Sequence, residues 1–368
     1  MDKVKLIEPY ISFDQVEDGL KDIFESGQFT RGRNVLKFSE DLKAYTSAKH
    51  AFLVTSATTA LTMCLKALGI VEGDDVLVSD FSFPATANVV EDMGARPIFV
   101  DVQRDSFNMC PEDLKTKITD NIKALIFVDA LGSPSGIEAV MDICRQHNIP
   151  VIEDAACAIG SSSNGIKTGA IADMTCFSFH PRKLLCTGEG GAILTNLDKY
   201  ADFLESKLMH GAKGTRGLGM DFLTYGYNYR MSEIQALLGH TQLAELDNIV
   251  RDRQKMYEAY CEQLIPLGFK AQKINAFCEH NIQSAVFTLP EAFEQVQFAK
   301  YLGENGIEAT LGTYCLSGTT YYKNKYDDVQ PNAWWLESNT ITLPCHNNVD
   351  VGIVCDVIIS YLAILKTV

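Results

Sequence analysis

The sequence predicts an α/β protein: a mostly parallel sheet sandwiched by helices, with a smaller C-terminal α+β domain. Two observations lead there. From Ala51 onward, short apolar runs alternate with helical patterns. Such alternation implies parallel strands covered on both faces, with ligands bound at the strands' carboxyl ends. At 368 residues the chain also exceeds the size at which one core stops growing, so two domains are expected.

Taken in order, Ala51–Val54, Val76–Ser79, Pro97–Val100, Ala124–Val128, Val151–Ile152 and Thr175–Phe179 read as buried strands, and Gly191–Thr195 as a further one. Between them Thr58–Leu68, Pro84–Met93, Pro111–Ile118 and Ile137–His147 carry helical patterns. A long pattern rich in Leu, Gln and Glu, Ser232 through Leu264, reads as one helix of the kind that links domains. Beyond it, strands are expected near Ser284–Leu289 and Thr340–Leu343, and helices at Phe293–Asn305 and Val351–Lys366. This gives a large domain over 1–250 and a small one over 251–368.

Composition narrows the function. With 46% apolar residues and a formal net charge of −15, the chain is a soluble type without the basic face of a general nucleic-acid binder. Its 11 cysteines, with no CxxC pair, suggest neither a disulfide framework nor a metal site. No apolar segment reads as a signal core or a bilayer span, so no membrane is expected and the cytoplasm is the expected location. GEGG and GLG occur, but no GxGxxG follows a strand and opens a helix, and there is no P-loop.

Four features carry chemistry. In FSFHPRKLLCTGEGG (Phe177–Gly191), Lys183 sits between a predicted strand and a glycine-rich turn. A free lysine amine titrates near ~10.4, and desolvation or cationic neighbours lower that value until it can form a Schiff base. The plain alternative is a surface lysine. In VTSATTALTMCLKALGI (Val54–Ile70), backbone N–H groups at Thr58, Thr59 and Ala60 would point at an anion where a helix starts. Simple capping by Ser56 or Thr58 explains it equally. In VIEDAACA, Asp154 ends a buried strand, where a carboxylate is costly without a partner; it either holds a pyridinium N–H or caps the next turn. In VSDFSFPATAN, Phe81 and Phe83 follow a strand end, for stacking on a flat ring or for core packing. Ser178 either reaches a phosphate or satisfies local backbone. Anion cradle, aromatic, strand-end acid and lysine occur in the order that a pyridoxal-phosphate site on an α/β scaffold requires.

Over nearly its whole length the chain resembles the sugar aminotransferases of the DegT/DnrJ/EryC1/StrS family, which have fold type I, the architecture of aspartate aminotransferase. The resemblance is carried by SGQFTRG (Ser26–Gly32), TSATTAL, GARPIFVDV (Gly94–Val102), VIEDAACAIGS (Val151–Ser161), CFSFHPRKLLCTGEGGAILTN (Cys176–Asn196) and YGYNYRMSEIQALLG (Tyr225–Gly239). It implies a pyridoxal 5'-phosphate cofactor in Schiff-base linkage to Lys183, which also moves the substrate proton. It places Asp154 on the pyridine nitrogen, Phe83 on a ring face, and Thr58, Thr59 and Ser178 on the phosphate. Asn228 matches an asparagine that reaches the neighbouring subunit's phosphate, implying a homodimer with shared active sites. Arg230 is assigned to supporting that loop or to an anionic substrate group. His180 is a candidate for proton transfer, or packs under the cofactor loop. Glu189 is expected to orient its turn and contact substrate.

The chain departs from the family pattern at Cys157, where a polar Gln or His near the ring is usual, and at LGTYCLSGTTYY (Leu311–Tyr322), which lacks a histidine-containing segment. The activity implied is transfer of an amino group from an amino-acid donor, L-glutamate, to a nucleotide-linked keto-deoxysugar. A sister branch of dehydratases has histidine at the lysine position, and a non-catalytic sensor would be expected to lose the lysine or the acid; both residues are present.

Overall fold

The computed structural model describes residues 3–366. Its centre is a seven-stranded sheet. The strands are β1 (His50–Val54), β2 (Asp75–Ser79), β3 (Arg96–Val100), β4 (Ile122–Val128), β5 (Val151–Asp154), β6 (Met174–Ser178) and β7 (Gly191–Thr195), in the order β1-β7-β6-β5-β4-β2-β3. Only β7 runs against the others, pairing antiparallel with β1 and β6. Strands β2, β5, β6 and β7 are buried at every residue, as expected where helices cover both faces of a parallel sheet.

Helices α1 (Glu17–Ser26) and α2 (Arg33–Thr46) precede the sheet; the sequence reading missed both. Helices α3 (Ala57–Ala67), α4 (Ala85–Asp92), α5 (Pro111–Lys117) and α6 (Ile137–Gln146) match the predicted crossovers to within a few residues. Helix α7 (Asp198–Leu208), also unpredicted, packs on the apolar layer that α3 forms over the sheet. A hairpin over 212–222 follows it.

The expected single helix over Ser232–Leu264 is two: α8 (Glu233–Leu243) and α9 (Leu246–Leu264). The chain leaves helical geometry at Glu245 (φ −103°, ψ 0°). Leu243, Leu246, Ile249 and Val250, from both sides of the break, enter the layer containing Phe38, Leu42 and Ile159. Beyond α9, β8 (Lys270–Ala271), β9 (Ala285–Thr288) and β10 (Thr340–Leu343) form a three-stranded antiparallel sheet. Helices α10 (Gln295–Glu304), α11 (Thr320–Tyr326), α12 (Pro331–Asn339) and α13 (Val351–Leu365) complete this part. Phe269, Phe287, Phe293 and Phe298 share a second core with Tyr260 and Tyr361 there. The N-terminal segment joins it: Val4 bridges to Ile307, and Tyr10 accepts from Arg253 at 3.2 Å. Among the described residues no helix is long and apolar enough to cross a membrane.

Besides apolar packing, a polar tie joins the N-terminal helices to α8. Helix α2 starts at Gly32 without a side-chain cap of its own. The carboxylate of Glu233, the first residue of α8 and buried, accepts the N–H groups of Gly32 (2.7 Å), Asn34 (2.8 Å) and Val35 (3.1 Å). It serves as a distant cap, favoured by the helix dipole. Replacing Glu233 with Ala strands three N–H donors, two of them buried. The expected cost is about 3 kcal/mol of unfolding free energy, read as a lower urea midpoint, with Glu233→Gln losing less because its amide oxygen still accepts.

Candidate active site

The site is built at the carboxyl edge of the parallel strands by their register. Val54 of β1 pairs with Gly191, and Gly191 pairs with Ser178 of β6. Two rungs further along the sheet, Cys176 pairs with Asp154, and Asp154 with Val128. The β1–α3 turn, the lysine turn after β6 and the strand-end acid therefore open onto one rim.

Ser56 caps α3: its Oγ accepts the Thr59 N–H at 3.1 Å. The N–H of Ala60 donates to the Ser56 carbonyl. The three open donors expected at Thr58, Thr59 and Ala60 thus reduce to the first turn around Ala57 and Thr58, and the capping residue is Ser56, not Thr58. Thr58 is exposed. The Thr59 hydroxyl lies 3.0 Å from both the Thr55 and Ser56 hydroxyls. Gly191 backs this turn. A Cβ there would stand 2.6 Å from the Ser56 carbonyl carbon and 2.8 Å from the Ala57 nitrogen, both backbone atoms.

Asp154 is 6% exposed. Its Oδ2 accepts the Thr86 hydroxyl at 2.8 Å and its Oδ1 the Ala156 N–H at 3.3 Å. Thr86 in turn meets the Ser82 hydroxyl at 2.8 Å. Burial pushes the Asp154 pKa up, against the two hydrogen bonds and the positive charge of Lys183. Asp129, at the end of neighbouring β4, is wholly buried with no hydrogen-bond partner for either carboxylate oxygen among the described residues. Burial pushes its pKa well above the usual carboxylate range, with the charges of Glu153 and Asp154 acting in the same direction.

Lys183 is half-buried, and its Nζ donates to Cys157 Sγ at 3.0 Å. His180 shapes this turn. Its carbonyl accepts the Lys183 N–H at 2.8 Å and its Nδ1 the Arg182 N–H at 3.2 Å. Its own N–H donates to Ser178 Oγ at 3.4 Å, leaving that buried hydroxyl at the rim. Glu189 holds the glycine turn through its carbonyl, which accepts from Thr187 Oγ1 at 2.7 Å and Gln235 Nε2 at 2.6 Å. Its residue is exposed.

Phe83 is 65% exposed and meets Tyr314 edge-on, ring centroids 6.3 Å apart. Tyr314 lies in the atypical 311–322 segment, which pairs with Phe81–Ser82 beyond β2. Asn228 is exposed beside Met209. Arg230 bridges to Val54. Burial and the charge of Arg31 lower its pKa. Sequence reading missed Thr86, Ser82 and Tyr314. Thr86 lay inside the quoted FPATAN run, but its distance of 68 residues from Asp154 gave no sign of their contact.

The comparisons with known proteins agree with this geometry. The model of the DegT/DnrJ/EryC1/StrS aminotransferase family matches residues 13–360. The chain belongs to that family. A curated relative, GDP-perosamine synthase of Vibrio cholerae, is 31% identical over 79% of each chain. A second, UDP-4-amino-4,6-dideoxy-N-acetyl-beta-L-altrosamine transaminase of Campylobacter jejuni, is 31% identical over 95% of each. Among solved structures, Spr1654 of Streptococcus pneumoniae in its PLP-form superposes with a TM-score of 0.91 over 99% of each chain at 25% identity, and a PMP-form matches equally. This family member is a PLP-dependent sugar aminotransferase of fold type I.

The residues present fit that cofactor. Asp154 is a buried acid whose direct partners are neutral, so a ring N–H⁺ supplies the cation that stabilises its charged form. The space in front of Ser56–Ala57 is kept by the absence of a Cβ at Gly191. Gly191→Ala forces that turn outward, and we expect cofactor affinity to fall about tenfold or more with β7 still formed; equilibrium dialysis of the purified variant measures it.

Near the rim, Asp80, the residue after β2, is fully buried and pins the 311–322 segment. It accepts the Ser317 N–H (2.7 Å), the Ser317 hydroxyl (2.6 Å) and the Cys315 thiol (3.1 Å). Burial outweighs those bonds and raises its pKa from 3.8 to about 7. The folded chain then keeps a proton that the unfolded chain releases, so this contribution is complete below the ordinary value and lost as pH rises through about 7. Glu153, raised to about 7 mainly by burial, acts in the same direction. Unfolding free energy of the cofactor-free chain should fall between pH 5 and 8, and Asp80→Asn should remove about one proton's share of that slope, as measured by urea titration at several pH values.

Proposed function

We propose that this enzyme moves an amino group from L-glutamate to the keto carbon of a nucleotide-linked deoxysugar, in amino-sugar synthesis for a surface polysaccharide or glycosylated natural product. The observation that carries the reading is the Lys183 amine at the same rim as the buried Asp154, in a family whose relatives include a GDP-sugar and a UDP-sugar enzyme by name.

Lys183 would hold the cofactor, Asp154 its ring nitrogen, and Thr58, Thr59 and Ser178 its phosphate, with Phe83 against one face. When bound, pyridoxal phosphate supplies an electron-poor ring that accepts the electrons of the bond broken at the amino-bearing carbon. The chain's part is positioning and proton transfer. Lys183 Nζ, once free, would move the proton between the substrate carbon and the cofactor carbon in each half-reaction. Cys157 receives the amine when it is not engaged, and its small side chain leaves room where a larger polar residue is usual. His180 keeps the lysine turn in shape. Glu189 and Arg230 are substrate-side groups, Arg230 beside Arg31 suiting an anion.

The assembly proposed is a cytoplasmic homodimer with shared sites. Exposed Asn228 follows a hairpin whose Leu218, Met220 and Phe222, with Leu223 and Tyr225 after it, leave an apolar patch in the solvent of a lone chain. Asn228 would reach the partner's phosphate group. We also propose a division into a large domain over 1–250 and a small one over 251–368, with the N-terminal segment crossing to the latter. Residues 1–2 and 367–368 lie outside the described residues.

Borohydride treatment of the cofactor-loaded protein should fix the cofactor's mass on the peptide containing Lys183. Lys183→Ala should keep a native circular-dichroism spectrum, lose that mass and lose transamination with glutamate and a panel of keto-sugar nucleotides by at least about a thousandfold. Full turnover by the variant would overturn the reading.

A further inference from the structure

Outside the residues named so far, one short segment touches both loops of the site. It is His280–Gln283, just before β9. Gln283 is 5% exposed. Its Oε1 accepts the Leu184 N–H at 3.0 Å, and its Nε2 donates to the Arg182 carbonyl at 2.7 Å. These two groups flank Lys183 in the chain. The lysine's own N–H is held by His180, so its local backbone is fixed from both sides.

Asn281, fully buried, grips the other loop. Its Nδ2 donates to the Cys157 carbonyl at 2.9 Å and the Ile159 carbonyl at 2.8 Å. Its Oδ1 accepts the Gln283 N–H at 2.9 Å, which fixes the two amides relative to each other. Behind both stands Arg253 of α9, 3% exposed. It donates to the carbonyls of Ile282 (2.7 Å), Gln283 (2.8 Å) and Cys345 and to the Tyr10 hydroxyl (3.2 Å), and forms no ion pair among the described residues. A guanidinium held by four neutral acceptors is rigid, because each fork direction is used.

The chemistry of the side chain matters here. Bracketing one residue requires an acceptor for the following N–H and a donor for the preceding carbonyl. Glutamine offers both, glutamate lacks the donor, and alanine lacks both. Each bond is worth only about 1 kcal/mol to stability, but a shift of about 1 Å in a proton-transferring group costs far more in rate.

We propose that Gln283 is a positioning residue for Lys183, and that Asn281 does the same for Cys157, so that the C-terminal part of the chain sets the reach of the lysine amine. This rests on the function proposed above. The test uses the full-length protein. In its cofactor-free form, Gln283→Ala should speed hydrogen exchange at the Leu184 amide. In the loaded form, the single-turnover rate with L-glutamate should fall about 10- to 100-fold, with the half-saturating glutamate concentration within about twofold of wild type. In a Lys183→Ala background rescued by methylamine, where no tethered amine needs placing, Gln283→Ala should add no further loss. Gln283→Glu, which keeps size and one bond, should show the same pattern and serves if the alanine variant fails to fold.

An equal loss in both backgrounds, or no loss in either, overturns the proposal while leaving the enzyme assignment intact. Absence of borohydride-fixed cofactor on Lys183 in the wild-type protein overturns both.

Discussion

A single buried carboxylate sets the terms for this molecule. Asp154 stands at the end of a central strand, where water is excluded and an ion is costly. The fold supplies it with one hydroxyl and one N–H, and places an amine near enough to be felt, but nothing that neutralises it directly. A site so arranged is poised for a flat cationic ring. The neighbouring acids reinforce the point: Asp129 and Glu153 sit in the same layer and are driven toward neutrality by burial. Asp154 is the carboxylate among them that reaches the rim beside the lysine turn.

What makes that rim possible is backbone proximity. The row Val54–Gly191–Ser178 brings three chain segments far apart in sequence into adjacent strands. The tolerances are atomic, since even one carbon on Gly191 would collide with the turn that starts α3. The inserted antiparallel β7 is thus more than an extra strand. It lies between the strand leading to the anion cradle and the strand leading to the lysine, fixing the spacing between them.

These relationships explain which parts of the protein were legible in the sequence. Strands such as Val76–Ser79 and Ala124–Val128 are buried throughout and almost wholly apolar because both faces are covered, and the residues just beyond their ends lie where the loops are open. Lys183 and Asp154 could be located because motif and strand end coincide. The remainder was hidden because its causes are nonlocal. Helix α2 owes its start to Glu233, 201 residues later than Gly32. The break at Glu245 falls inside a run of Leu, Gln and Glu that reads as one helical pattern, with Asp247 and Asn248 as weak helix formers beside it. Thr86, Asn281 and Gln283 act through contacts with loops 68 to 124 residues away, and nothing in their own neighbourhoods marks them.

The two departures from the family pattern can now be placed physically. Cys157 lies against the lysine amine, so the change from a larger polar side chain is a change in the lysine's own surroundings. The 311–322 segment is held by a different logic: Asp80 binds it from beneath while Tyr314 carries it to the edge of Phe83. Its anchor is buried and rigid, whereas its aromatic tip is open to solvent. Under the proposed function, substrate discrimination on this face would rest with the tip, whose side chain lies away from the acid that holds the segment in place. The Lys183 turn is held from another side, by the hydrogen bonds of Gln283 to Leu184 and Arg182.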